Sequence, residues 1–249
     1  MRKLLICGLA AGAVAAMCFV HPIAQNPAYH AFADRRSLFG IPNFRNVASN
    51  AAFLFAALPG LRALRRRESF AEAWERLACA IFTAAVAAVA FGSAFYHWRP
   101  DNAMLFWDRL PMTVAFLSLF ASVIGERMDS RWGRALLFPL LAAGAASVLY
   151  WRATGDLRWY AMVQFFPALA IPLLIALFPP RYTGSAVALG GLIAGYAAAK
   201  LLEGFDRQIG TVLATGGHPW KHLAAAAGVW WYLRGVAARR LLKPPFRPR

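Results

Sequence analysis

Apolar residues along this chain gather into eight runs, each close to the roughly 20 residues a helix needs to cross a bilayer core. They extend over Leu4 to Val20, Val47 to Leu64, Leu77 to Tyr96, Leu110 to Ile124, Ala135 to Tyr150, Trp159 to Phe178, Ala186 to Leu202 and His222 to Val236. Polar and charged residues keep to short gaps between the runs, so each run predicts one spanning helix and the chain reads as an all-α integral membrane protein. Pro167 and Pro172 lie inside one run, where neighbouring helices can satisfy the carbonyls that proline frees. Gly190, Gly191 and Gly195 predict close helix contact in the next. The first run follows Arg2 and Lys3 and resembles a signal peptide, but Pro22-Ile23-Ala24 makes a poor cleavage site. It is read as a retained helix, with a cleaved signal as the alternative.

Composition agrees with the pattern. Hydrophobic side chains make up 60% of the 249 residues and charged ones 15%, with a mean hydropathy of +0.48. Soluble domains carry nearer a quarter charged, and no room remains for a separate soluble domain. The net charge of +16 would suggest a nucleic-acid partner if the basic residues shared one water-exposed face. They sit instead between apolar runs, so no nucleic acid is expected. Counted over alternate connections, lysine and arginine number 17 on the side of both termini and 10 on the other, which predicts cytoplasmic termini. Arg65-Arg66-Arg67 and Arg239-Arg240 provide most of that bias and serve as topology anchors near anionic lipid. Arginine outnumbers lysine 23 to 4, as in GC-rich bacterial genomes, so the expected location is a bacterial inner membrane. Cys7, Cys18 and Cys79 fall inside apolar runs without close pairing and are read as small buried residues rather than disulfides or zinc thiolates.

Ionisable residues at helix ends carry the chemistry, because hydrocarbon penalises each of them. Ser93 and His97 stand four apart, on one helix face at the exit of the third run. Asp108 stands at the entrance of the next. In GGHPWKH, His218 and His222 are again four apart, with His218 expected as helix cap and His222 at the end of the first turn. Alternating topology puts all of them in the same non-cytoplasmic leaflet. Three histidines converging there match the ligand set of a catalytic zinc with a fourth position open.

Ser93-x-x-x-His97, Asp108 eleven residues on, and a distant His218-x-x-x-His222 resemble, in type and order, the motif set of the alkaline ceramidases. These belong to a wider superfamily of seven-helix zinc hydrolases that includes the adiponectin receptors. The stretch YHAFADRRSLFGIPNFRNVASN, with Asn46, Ser49 and Asn50, is similar to the bacterial branch of the family. The resemblance spans roughly Tyr29 to Trp231. It implies a seven-transmembrane-helix bundle around an intramembrane zinc, held by His97, His218 and His222. The predicted organisation is then an N-terminal hydrophobic helix over residues 1–25, a seven-helix ceramidase-like domain over 26–238 and a basic cytoplasmic tail over 239–249.

The resemblance also gives Asp108 and Ser93 catalytic roles beside a metal-held water, and elementary chemistry agrees. Zinc lowers the pKa of a bound water from about 16 to roughly 7; Asp108 could accept its proton and pass it to a leaving amine, and Ser93 could donate to a developing oxyanion. Two departures stand out. Arg109 replaces the glutamate that eukaryotic members carry after the motif aspartate, which leaves headgroup recognition open. The N-terminal loop, which binds calcium in those members, offers one carboxylate here, Asp34, beside Asn43, Asn46 and Asn50. Calcium wants several carboxylates among its six to eight oxygens, so no tight calcium site is expected and Asp34 is free to pair with Arg35, Arg36 or Arg45. His21 and His30 match no motif and are expected at water or headgroups. The implied activity is hydrolysis of a ceramide-like N-acyl lipid to a fatty acid and a long-chain amine. An ester-cleaving hydrolase of the same superfamily and a non-enzymatic receptor or transporter are the alternatives.

Overall fold

The computed structural model describes residues 1–242. Its long helices are α1 (Arg2–Phe19), α3 (Ala51–Arg65), α4 (Ala73–Trp98), α5 (Asn102–Arg127), α6 (Ser130–Thr154), α7 (Arg158–Leu177), α8 (Ser185–Gly204) and α10 (His218–Ala238), with the short α2 (Phe44–Ala48) continuing into α3 and α9 (Asp206–Val212) preceding α10. Among the described residues β structure is limited to isolated bridges. Seven helices are long and apolar enough to cross a membrane, α1 included and α2–α3 counted as one. The eighth long helix, α10, carries His218, Lys221, His222 and Arg234 and falls outside that group. Phe55, Phe91, Phe138, Leu169 and Val187 face outwards at 62 to 75% exposure. That outer surface suits lipid and would be a liability in water, so the chain is a multi-pass membrane protein with an all-α bundle.

The helices run alternately up and down, α4 packing on α3 and α5, α5 on α6 and α7, and α10 lying between α3 and α8 in a ring left open between α7 and α8. Between apolar helices in lipid, close fit replaces the hydrophobic effect as the driving force, and small residues supply it. A Cβ on Gly92 would stand 2.1 Å from the Trp107 carbonyl oxygen, so the absence of a side chain lets α4 and α5 touch at the residue before Ser93. Gly195 meets Gly228 in the same way between α8 and α10, and Gly191 accommodates the Trp231 ring, whereas Gly190 faces open space. Helix α1 lies outside this ring against α7 and buries only Ile6. Cys7 and Cys18 are exposed there, so of the three cysteines Cys79 alone is the buried residue expected.

Several helices outrun their apolar stretches. The run from Leu110 to Ile124 becomes a 26-residue helix that starts at Asn102, capped by the Asp101 carboxylate accepting from the Met104 N–H at 2.8 Å. Asp108 and Arg109 are therefore two turns inside α5, not at its entrance. Hydropathy ends a span where polar residues begin, whereas the helix continues because those residues turn into the bundle. The basic tail expected over 239–249 lies, from residue 243 on, outside the described residues. Its first members are structural: Arg239 donates to the Ser69 carbonyl at 2.8 Å and its guanidinium lies 3.9 Å from the Tyr182 ring centre.

Candidate metal centre

The last turn of α4 and the first two turns of α10 meet at one end of the bundle. His97 is the next-to-last residue of α4; His218 opens α10 and His222 follows one turn later. One ring nitrogen from each lies within 4.8 Å of the others, and the ring centres are 4.8 to 5.1 Å apart. All three are buried, at 5% exposure or less. This group could hold a metal ion, and its polar atoms fit that use. His97 Nδ1 and His218 Nε2 are buried with no hydrogen-bond partner, which is costly for a polar group unless something else satisfies it.

The surroundings orient each ring. Ser49 Oγ lies 3.1 Å from the Asn46 carbonyl and 2.7 Å from His222 Nδ1. A hydroxyl has one proton, and the carbonyl can only accept it, so the Ser49 oxygen accepts from His222 Nδ1–H. That assigns the tautomer and leaves His222 Nε2 with its lone pair free, the usual arrangement for a metal-ligating histidine. Asn43 donates from Nδ2 to the His97 carbonyl at 2.9 Å, satisfying one of the orphan acceptors of a helix C-terminus. Asn43 holds a left-handed backbone, φ 50°, to do so. Phe32 packs against His97 and His218 at centroid distances of 4.7 and 4.5 Å. Asp206 accepts from the His218 N–H at 2.8 Å and from the Ala33 N–H at 2.9 Å, tying α10 to the Phe32 loop. This bond accounts for a difference from expectation: His218 is the first helical residue and Gly217 the cap position, because Asp206 supplies from a distance what a capping side chain supplies locally.

Asp108 and Ser93 are buried, at 8 and 3% exposure, and do not belong to the histidine group. They line, with His222 but not His97 or His218, a cavity of about 520 Å³ that runs from His222 into the bundle centre past Met112, Pro167, Ile171 and Leu192. On one side its walls are α7 and α8, consecutive helices without an extended interface, linked by the Gln164–Tyr196 hydrogen bond at 3.4 Å. Its charged residues, Asp108, Arg109, Lys200, Glu203 and Lys221, gather at the histidine end, and away from that end the lining is apolar but for the Gln164–Tyr196 pair.

Sequence reasoning placed the five site residues at this end but missed Ser49 as a partner of His222, Asn43 as a donor to the His97 carbonyl, and Asp206 and Phe32 altogether. Only the pairing of hydroxyl or amide groups with buried helix ends signals them, and that pairing depends on long-range contacts. Asp34, buried at 2% exposure, pairs with Arg36 at 3.5 Å and Arg45 at 3.8 Å, two of the partners expected. His21 is exposed, whereas His30 is half-buried and bridges the Tyr96 hydroxyl and Asn102 Oδ1 at 3.0 Å each, so it is more tightly held than expected. Compared with protein-family models and with curated proteins, the chain matches none. Its functional reading therefore rests on residues and geometry.

Proposed function

We propose that the protein is a zinc-dependent lipid amidase of the bacterial inner membrane, hydrolysing ceramide or a related N-acyl lipid to a fatty acid and a long-chain amine. The observation that carries this reading is the meeting of three buried histidines, two with orphaned ring nitrogens, with Asp108 and Ser93 on the wall of an apolar cavity about 520 Å³ in volume. Histidine-only ligation with no thiolate suits zinc among the common ions. Zinc, when bound, supplies a Lewis acid that polarises a carbonyl and acidifies water.

The remaining work falls to the chain. The cavity buries an acyl chain among Met112, Pro167, Ile171 and Leu192, which leaves the polar linkage at the histidine end. Asp108 takes a proton from the attacking water and returns it to the departing nitrogen, which leaves poorly without one. Ser93 donates a hydrogen bond to the oxygen that gains charge. Phe32, packed edge-on to His97 and tilted against His218, limits water around them. The count of 17 basic residues against 10 supports cytoplasmic termini, with the histidine end at the opposite surface; a reporter fused to the C-terminus tests this and reads inside.

The central test is metal analysis of purified protein together with hydrolysis of ceramides and matched ester lipids in detergent. About one zinc per chain and release of fatty acid from ceramide are expected. Ser93→Ala should lower turnover about 10- to 1000-fold. Cleavage of esters alone would replace the amidase reading by that of an esterase, and a metal-free protein with no hydrolysis would overturn both.

A further inference from the structure

Arg109 is the one cavity cation that makes no ion pair in contact among the described residues. Its neighbours Lys200 and Lys221 both engage Glu203, Lys221 at 2.7 Å. Arg109 has no carboxylate in such contact. It is 5% exposed, donates from Nη2 to Gln25 Oε1 at 2.6 Å, and leaves Nη1 buried with no partner. Its guanidinium carbon lies 4.1 Å from the Trp151 ring centre and 4.5 Å from that of Tyr160. Those rings hold the group in place but do not neutralise it. A buried cation with no ion pair in contact is expensive, so an anionic ligand would bind there at a gain. The charged side chains lining the cavity are three cations, Arg109, Lys200 and Lys221, and two carboxylates, Asp108 and Glu203. The cavity is thus one negative charge short of balance.

Position says where that charge belongs. Arg109 follows Asp108 directly on α5, with Cα atoms about 3.8 Å apart. Gln25 comes from the N-terminal loop, Trp151 from the last turn of α6 and Tyr160 from the first turn of α7. All three lie at the histidine end. An anion paired with Arg109 would therefore sit at the histidine end, beside Asp108, and not deeper along the cavity.

We infer that Arg109 binds a carboxylate or phosphate carried by the amine portion of the substrate, so that the preferred lipid is an anionic N-acyl amphiphile and not a neutral one. This rests on the lipid-hydrolase reading of the cavity and narrows it. A guanidinium offers two parallel N–H groups to either oxyanion, which a lysine at the same place could not do.

The test is equilibrium binding in a neutral detergent, by calorimetry and by ligand-induced rise in melting temperature, so that it does not depend on turnover. N-decanoylglycine is compared with its uncharged methyl ester, and decyl phosphate with decanol. The anion is expected to bind about 10- to 100-fold more tightly than its neutral partner, the range of a charge-assisted hydrogen bond. The better of the two anions identifies the headgroup class. In Arg109→Gln that preference disappears, and Arg109→Lys keeps only part of it. Arg109→Gln without ligand should melt no lower than wild type, since it removes an uncompensated buried charge; this separates lost binding from lost folding. Equal binding of charged and neutral ligands by wild type, or an anion preference retained in folded Arg109→Gln, overturns the inference. Arg109-dependent binding with no cleavage of any ligand would leave it standing while removing the hydrolase reading.

Discussion

The two ends of the bundle handle buried polarity in opposite ways. At the end opposite the histidines, Glu72 and Glu75 form a reciprocal cap on α4, and Arg181 bonds to both carboxylates at 3.1 Å. The Tyr182 hydroxyl donates to Glu75, and Arg127 donates to Ser185 at 2.9 Å. The two orphaned atoms there, on Glu126 and Arg127, belong to an ion pair at 3.7 Å. At the histidine end five buried atoms have neither a hydrogen bond nor an ion pair, on Asn46, Asn50, His97, Arg109 and His218, and a sixth, Asp34 Oδ2, has only the Arg45 contact at 3.8 Å. A membrane protein can satisfy its polar groups internally and at one end this one does. At the other, His97, Arg109 and His218 keep polar atoms with no partner in the protein, beside the cavity and the group that could hold a metal.

The contrast breaks most completely if the histidines are removed. His97→Ala, His218→Ala and His222→Ala should each lose the metal, read as zinc per chain in purified protein, together with all hydrolysis. Full retention of zinc in all three would end the metal assignment. Asp108→Asn sharpens the contrast instead, since the amide keeps the shape but moves no proton. Zinc content should stay at the wild-type level while turnover falls about 100- to 10,000-fold.

Ser49→Ala frees the His222 ring to exchange tautomers, and metal affinity should fall about 10- to 100-fold in competition with a chelator. An unchanged affinity would mean that the 2.7 Å contact orients nothing. At the clasp, Arg181→Gln leaves Glu72 and Glu75 without their cation, at a cost of about 1 to 3 kcal/mol. The melting temperature in detergent should drop while zinc content does not change. A loss of zinc in this variant would show that the two ends are coupled.

The smallest effect concerns pH. The Ser130 hydroxyl bonded to Glu72 and the adjacent Arg181 guanidinium hold the Glu72 carboxyl below the usual range. A carboxyl lowered on folding stabilises above its unfolded pKa, about 4.3, and that contribution disappears as pH falls through the folded value. Melting temperature should therefore decline as the pH is lowered below about 4.5, and less steeply in Glu72→Gln. A decline of equal slope would place the acid sensitivity elsewhere.

Membrane insertion, the number of long helices and the chemical character of one end were legible in the order of residues. Those features depend on local quantities: run length sets a span, and the i, i+4 spacing of Ser93 with His97 and of His218 with His222 sets a shared helix face whatever surrounds it. Helix ends were less legible. Asp108 and Arg109 read as the boundary of an apolar run, and the Asp101 cap ahead of them and the contacts of Arg109 with α6 and α7 set them inside the helix. Which groups complete the histidine site depended wholly on tertiary structure. Ser49 lies 173 residues from His222, and Asp206 reaches back 173 residues to the Ala33 N–H. No periodicity encodes a hydrogen bond across such a distance; it follows from which helices lie side by side, and small residues such as Gly92 and Gly195 set how closely they do.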